Sequence, residues 1–221
     1  MLAVLGLAQV VFAYDVSALS WFFWWSGLSW IFAGGAYGFI GARAFGKRSD
    51  GSMVWWNVLL FFPYLAATWL LWYTQKALTK EPLCDQVSPG IWLGRRCSAD
   101  ELPPGIEMVV DLTAEFPEMR PIREGRAYLC LPILDASIPS LTSFQELVQM
   151  IASVDKPVYV HCALGHGRSA AVAVAILVAR GDAVSVDQAE LMVKMVRPGI
   201  AINTVQRHFL QQWQINYDKL I

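Results

Sequence analysis

The stretch VYVHCALGHGRSAA, residues 158–171, decides how this chain is read. It opens on the apolar, β-favouring run Val158, Tyr159 and Val160 and ends that run in His161 and Cys162. A loop with two glycines follows, then Arg168, Ser169 and a helix-forming apolar run to Ala179. The pattern predicts strand, loop and helix, with a cysteine where the loop begins and an arginine where it ends. Such a loop makes an anion cradle. The backbone N–H groups of Ala163, Leu164, Gly165, His166 and Gly167 converge, and the helix N-terminus adds its positive dipole end. The same field favours a thiolate, so Cys162 is expected to be ionised and nucleophilic at neutral pH. Arg168 offers a planar fork for two phosphate oxygens. A lone cysteine on a strand is usually a small core residue. Packing does not explain Cys, Gly, Arg and Ser in this register between a strand and a helix.

His161, Cys162, Gly165, Arg168 and Ser169 fill the pattern His-Cys-x-x-Gly-x-x-Arg-Ser. This resembles the signature loop of the cysteine-dependent protein tyrosine phosphatase superfamily. The loop of rhodanese-type proteins is one residue shorter in many members, so the spacing here favours phosphate over sulfur chemistry. The second half of the chain is similar to the small dual-specificity phosphatase branch. PGIWLG (89–94), VVDLT (109–113), LPILD (131–135) and Val196-Arg197-Pro198 with Gln206, Phe209 and Leu210 occur in that family's order. The resemblance implies a two-step reaction through a cysteinyl phosphate, with no metal and no other cofactor. It places the general acid at Asp135, 27 residues before Cys162. A positioned acid of this kind contributes about 10²–10⁴ in rate. A turn or capping aspartate is the competing reading of Asp135. Asp111 is a rival carboxylate, but it falls inside an apolar strand pattern and is expected to serve structure. Ser169 is expected to hydrogen-bond the sulfur, and His161 to orient the loop through backbone contacts. Lipid-directed members of the superfamily carry Lys or Arg at the position of His166. An imidazole there is partly charged near pH ~6.5 and fits the same task, or it fills the loop as a neutral residue.

The chain as a whole is 56% hydrophobic with a mean hydropathy of +0.42, which predicts a membrane segment before any span is examined. A net charge of −1 argues against a nucleic-acid partner. Cys84, Cys97, Cys130 and Cys162 show no paired CxxC spacing, so neither a zinc site nor a disulfide framework is expected. One reactive thiolate fits a reducing compartment.

Residues 1–80 read as a transmembrane anchor. Residues 16–42 are uncharged and rich in Trp and Phe. Residues 54–73 are also uncharged, about 30 Å long as a helix, with Trp55, Trp56, Trp72 and Tyr73 at its ends as interface aromatics. These are the two expected spans. Residues 1–14 are apolar but short, and serve as a third span or an interfacial entry. Gly34, Gly38 and Ala42 recur at every fourth position, a spacing that packs membrane helices against one another or forms a homodimer. Pro63 is expected to kink the second span. Arg43, Lys47 and Arg48 pull their loop to the cytoplasm, whereas Lys76, Lys80, Arg95 and Arg96 pull the catalytic half there. The reactive thiol favours a cytoplasmic catalytic domain on a plasma or inner membrane.

Residues 81–89 read as a linker and 90–221 as one α/β domain. Its expected form is dual-specificity-phosphatase-like, a mostly parallel sheet flanked by helices. Strands are expected at 90–94, 106–112, 127–133 and 157–161. Helices are expected from about 141 with Thr142 and Gln145 as a capping box, from Arg168 to about Arg180, after Ser185, and after Asn203. The expected substrate is a phosphorylated lipid headgroup, such as phosphatidylglycerophosphate or a phosphoinositide, or else a phosphoprotein. A silent phosphate-binding module is the non-enzymatic alternative, and the intact Cys162, Arg168 and Asp135 speak against it.

Overall fold

The computed structural model describes residues 1–14 and 19–219. The chain forms two compact units. One comprises residues 1–48, 52–79 and 114–117; the other comprises residues 49–51, 80–113 and 118–221.

The larger unit is a five-stranded mixed sheet with helices on it. Its strands are β1 (Cys84–Ser88), β2 (Ile91–Arg95), β3 (Met108–Thr113), β4 (Ala127–Ile133) and β5 (Val158–Cys162), in the order β1-β2-β5-β3-β4. Only β1 runs antiparallel to its neighbour. β5 lies at the centre, with Gly94 and Asp111 both in register with His161. All five of its residues are buried, as an apolar strand covered on both faces requires. Alternation along β5 then sets the chemistry. Val158, Val160 and Cys162 join the core formed with the main helices, while Tyr159 faces the opposite side with Cys97, Ile106, Val109 and Ile122. Cys162 and His161 therefore leave the strand on opposite faces.

The helices of this unit are α4 (Arg120–Arg123), α5 (Leu141–Ala152), α6 (Arg168–Ala179), α7 (Val186–Val196) and α8 (Thr204–Tyr217). α6 is buried over its whole circumference, every residue but Ala179. A helix apolar all round belongs at the centre of its layer, and α6 packs against α5, α7, α8 and β5. Val172, Val174, Ile176 and Leu177 are fully buried there, worth about 1.5–3 kcal/mol each. The two anchors of the 163–167 loop are thus among the most buried elements of the domain. α7 and α8 are capped by Ser185 and Asn203 as the spacing predicts, Asn203 with a full capping box. α5 is capped by Ser140, which accepts from Ser143 N, rather than by Thr142. Ser140 keeps extended backbone before the first helical residue, so the cap falls two residues earlier than expected.

The expected linker at 81–89 is not one. Cys84–Ser88 is β1, paired to β2, and only residues 79–83 separate it from the preceding helix. Its pattern is hidden because its exposed face carries Gln86 and its edge position leaves it half polar.

The smaller unit is helical: α1 (Leu2–Phe12), α2 (Ser20–Gly35) continued by a π-helical turn (Ala36–Ile40) and a 3₁₀ turn (Ala42–Phe45), and α3 (Trp55–Leu78). α1 and α2 run antiparallel in close contact. A Cβ on Gly6 would collide with Gly27 O, and one on Gly34 would come 3.0 Å from Ala3 N. Gly34 is thus occupied within the chain, while a Cβ on Gly38 would meet nothing within 4 Å among the described residues. Among the described residues, α3 is the one helix long and apolar enough to cross a membrane, with 22% of its apolar stretch buried. α1, at 11 residues, is about 16 Å long and too short to span. The expected span at 16–42 is not one α-helix. α2 covers 16 residues before the π turn, and 16–18 lie outside the described residues. Pro63 lies inside α3 and leaves Leu59 O without its usual partner. Trp25 Nε1 donates to that oxygen at 3.1 Å, and Ser29 Oγ accepts from Tyr64 N at 3.2 Å. Side chains of α2 thus satisfy the backbone groups that the proline frees.

Two short segments sit outside the unit that their sequence position suggests. Residues 114–117 are part of the helical unit, where Trp69 Nε1 donates to Glu115 O at 2.8 Å and Trp72 and Phe116 rings lie 5.5 Å apart. Residues 49–51 are part of the sheet unit, where Gly51 O accepts from Glu118 N at 2.8 Å.

Candidate active site

Cys162 ends β5 and Arg168 begins α6, so the loop between them is tied to two deeply buried elements. Gly165 turns it, with φ +78°. A side chain there would also run into Gly94 and Arg95 backbone at about 2.5–2.8 Å, so the position needs glycine twice over. The loop's carbonyls are taken by the surrounding protein. Arg96 N donates to Ala163 O at 3.1 Å, Ala201 N to His166 O at 3.0 Å, Arg197 Nε to Gly165 O at 3.1 Å and Arg197 Nη2 to Leu164 O at 3.5 Å. A trans peptide points its N–H opposite to its C=O. With the carbonyls held on the outside, the amides are left to the concave side. Gly165 N illustrates this, donating to Cys162 Sγ at 3.3 Å.

Ser169 Oγ lies 3.2 Å from Cys162 Sγ. Burial pushes the Cys162 thiol up, but the Arg168 guanidinium and the hydrogen bonds from Ser169 and Gly165 outweigh it. The net pKa lies below the ordinary thiol value. Arg168 is buried and fixed by Nη1 donating to Ile133 O at 2.8 Å. Its Nη2 lies 3.2 Å from Asp135 Oδ1. Asp135 is 73% exposed in its side chain, at the rim above a buried floor. The carboxylate therefore stands within reach of any group that Arg168 holds.

Behind the nucleophile, His161 Nδ1 meets Cys162 O at 3.3 Å and Nε2 meets Glu118 Oε2 at 3.2 Å. Glu118 also pairs with Arg96 at 3.5 Å and accepts from Met119 N at 2.8 Å. Asp111, Glu118 and His161 form a buried trio whose ligand atoms lie within 4.8 Å of one another. Asp111 is occupied as a structural residue: Oδ1 accepts from Thr113 N and Oγ1, and Oδ2 from Tyr128 OH at 2.7 Å.

The structure thus brings together Cys162, Ser169, Arg168, Asp135 and the 163–167 loop, and sets His161 behind the sulfur. His166 is not an isolated mouth cation: its Nε2 lies 2.6 Å from Glu81 Oε2. Several residues that position the site escaped the sequence reading. Arg197, buried, holds two loop carbonyls and pairs with Asp85 at 2.7 Å. Asn203 Nδ2 and Gln206 Nε2 bind Ala136 O and Ser137 O at 2.9 and 3.2 Å, fixing the turn that carries Asp135. Ala136 has φ +56°, a left-handed conformation rare for alanine, so that turn is held under strain. The Arg197-Pro198 dipeptide and the Asn203/Gln206 cap are visible in sequence, but their second use is not. Glu118, which grips His161 from behind, and Glu81, which meets His166 at the rim, carry no local signal.

The family comparison agrees with this geometry. Residues 97–216, more than half of the chain, match the model of the dual specificity phosphatase catalytic domain.

The chain belongs to the dual specificity phosphatase family.

It is accordingly a cysteine-dependent phosphatase. Among solved structures, human DUSP28 is 25% identical with a TM-score of 0.56, over 62% of this chain and 97% of that one. Tk-PTP in its active form is 27% identical with a TM-score of 0.56, over 61% of this chain and 97% of that one. PTPMT1 in complex with PI(5)P shares the fold, with a TM-score of 0.55 at 20% identity over 62% of this chain and 98% of that one. No curated protein sequence matches the chain. In this phosphatase the family match takes in β3, β4, β5 and the helices from α4 to α8, while β1, β2 and the helices of residues 1–79 lie outside it.

Proposed function

We propose that this phosphatase is anchored in a membrane and removes the phosphomonoester of a phospholipid headgroup, such as phosphatidylglycerophosphate or a phosphoinositide. The observation that carries this reading is α3. A 24-residue apolar helix, mostly exposed, ends at Leu78, and β1 of the catalytic unit starts at Cys84. A buried core helix of a soluble protein does not leave Trp55, Leu70 and Tyr73 open. Residues 79–83 extend at most ~18 Å, which keeps the site near the bilayer that α3 crosses.

The chemistry follows from the site. Cys162 Sγ attacks phosphorus in line, forming an S–P bond as the P–O bond to the alcohol breaks. Arg168 and the loop amides hold the equatorial oxygens, where charge is carried in the transition state. Asp135 gives its proton to the departing oxygen. Water then attacks phosphorus, Asp135 takes its proton, and the S–P bond breaks to release inorganic phosphate and the thiolate. Ser169 steadies the sulfur as it leaves. His161, gripped by Glu118, fixes the carbonyl of Cys162.

A second reading is a protein phosphatase parked at the membrane, which the 25% identity to human DUSP28 favours. The test is phosphate release by the full chain in vesicles carrying phosphatidylglycerophosphate or a phosphoinositide, against phosphotyrosine and phosphothreonine peptides. Release from lipid at a kcat/KM well above that for peptides is expected. Hydrolysis of peptides with no release from any phospholipid replaces the lipid reading by the protein one.

A further inference from the structure

The rim of the phosphate loop holds an acid that the mechanism does not use. Glu81 Oε2 lies 2.6 Å from His166 Nε2 and 3.8 Å from Arg197 Nη2. Its placement is built. Arg95 Nη1 donates to Glu81 O at 3.0 Å and to Pro82 O at 3.4 Å, and Arg197 Nη1 donates to Pro82 O at 3.3 Å. Residue 199 is a glycine, and a Cβ there would fall on Glu81 Oε1. Gly199 has no left-handed φ that would require glycine, so what the missing side chain provides is room for the carboxylate.

The carboxylate is ionised at neutral pH. The hydrogen bond to His166 lowers its pKa, burial raises it, and the charges of His166, Arg197 and Arg95 lower it further. Glu81 and His166 are 39% and 30% exposed in their side chains, so the pair opens without disturbing the core. Arg168, which receives the scissile phosphate, lies on the buried floor and is two residues from His166 in the same loop. An anion held by His166 and the Arg197 edge would therefore sit beside that phosphate.

We propose that His166 and Arg197 form a subsite for a second anionic group of the substrate, and that in the free phosphatase Glu81 occupies it as an internal stand-in. The inference rests on the phosphatase reading of the same site and deepens it. The ligand class is a phosphomonoester with a second phosphate or phosphodiester a few bonds away. A substrate of that class displaces Glu81; a simple monoester leaves it in place. The chemistry is shared by the headgroup of a phosphorylated phospholipid and by a soluble bisphosphate.

The test uses the full chain in detergent micelles with two soluble substrates, propyl phosphate and 1,3-propanediol bisphosphate. Glu81→Ala is expected to raise kcat/KM for the bisphosphate roughly three- to tenfold, the scale of one removed charge at a solvated rim, and the gain shrinks with added salt. For propyl phosphate the change stays within about twofold, because the floor is untouched. Gly199→Ala, whose methyl pushes the carboxylate aside, is expected to shift the same ratio in the same direction. His166→Ala on the Glu81→Ala background is expected to remove the gain. Equal responses of both substrates to Glu81→Ala and to Gly199→Ala overturn the subsite alone. Failure of the unmodified protein to hydrolyse either substrate overturns the phosphatase reading together with it. Vesicles carrying phosphatidylglycerophosphate separate the sources. A matching gain there supports a lipid headgroup, and a gain confined to the soluble bisphosphate supports a free phosphate ester.

Discussion

Cys97 and Cys162 belong to one domain and are equally hidden, each 4% exposed, yet their thiols are driven in opposite directions. Burial pushes Cys97 up to about 12, and the nearby Glu118 and Glu101 charges add to it against a hydrogen bond from Tyr159. Cys84 is likewise raised by burial, with Asp85 beside it, to about 11. Cys162 carries the same penalty, but Arg168, Ser169 and the Gly165 amide overcome it. The difference teaches that burial silences a thiol and that a cationic, donor-rich loop reverses the effect. Reactivity here lies in the partners.

The largest break in the comparison comes from the sulfur itself. Cys162→Ser is expected to lower phosphate release by at least ~10⁴-fold while inorganic phosphate still binds, whereas Cys97→Ala leaves kcat/KM within about threefold. Steady-state rates and phosphate titration on both variants check this. Next is Arg168→Ala, which removes both the phosphate clamp and the largest influence holding the thiol down. A loss of about 10³ in kcat/KM is expected. In the unmodified protein the rate falls as the pH drops through the thiol's lowered pKa, because protonation removes the nucleophile. In Arg168→Ala that limb moves to higher pH, towards the behaviour of Cys97. Asp135→Asn comes third, with about 10²–10³ lost on alkyl phosphates and much less on 4-nitrophenyl phosphate, whose leaving group needs no proton. An equal loss on both substrates would remove Asp135 from the role of acid. Ser169→Ala is the mildest, roughly tenfold or less, with a small upward shift of the same acidic limb.

The unequal legibility of the two cysteines has a physical basis. The register of Cys162, Gly165, Arg168 and Ser169 is local, so strand, loop and helix appear in sequence almost as they fold. Asp135 was reachable because it follows the end of a strand and lies close to the chain position of the family's acid, which is usually a few residues further from the cysteine. Cys97 has no such neighbours, and nothing local distinguishes it from a core residue. Arg197 and Glu118, which brace the site from behind, and Glu81 at its rim act across separations of 32 to 85 positions, which no spacing rule links. β1 was read as linker because an edge strand with one polar face is short and poorly alternating. In the helical unit, composition announced apolar helices but not their breaks. The π turn after Gly35 and the use of Gly6, Gly27 and Gly34 within the chain come from tertiary packing. Pro63 was legible as an interruption, while its compensation by Trp25 and Ser29 depends on a second helix.

The most direct test of the account is to quench the unmodified protein during turnover and to map phosphoryl groups by peptide mass spectrometry. The account predicts one phosphoryl group on Cys162, labile to hydrolysis, absent in Cys162→Ser, and none on Cys84 or Cys97. Phosphate release in Cys162→Ser at the unmodified rate, or a phosphoryl group on any other residue during turnover, would contradict it.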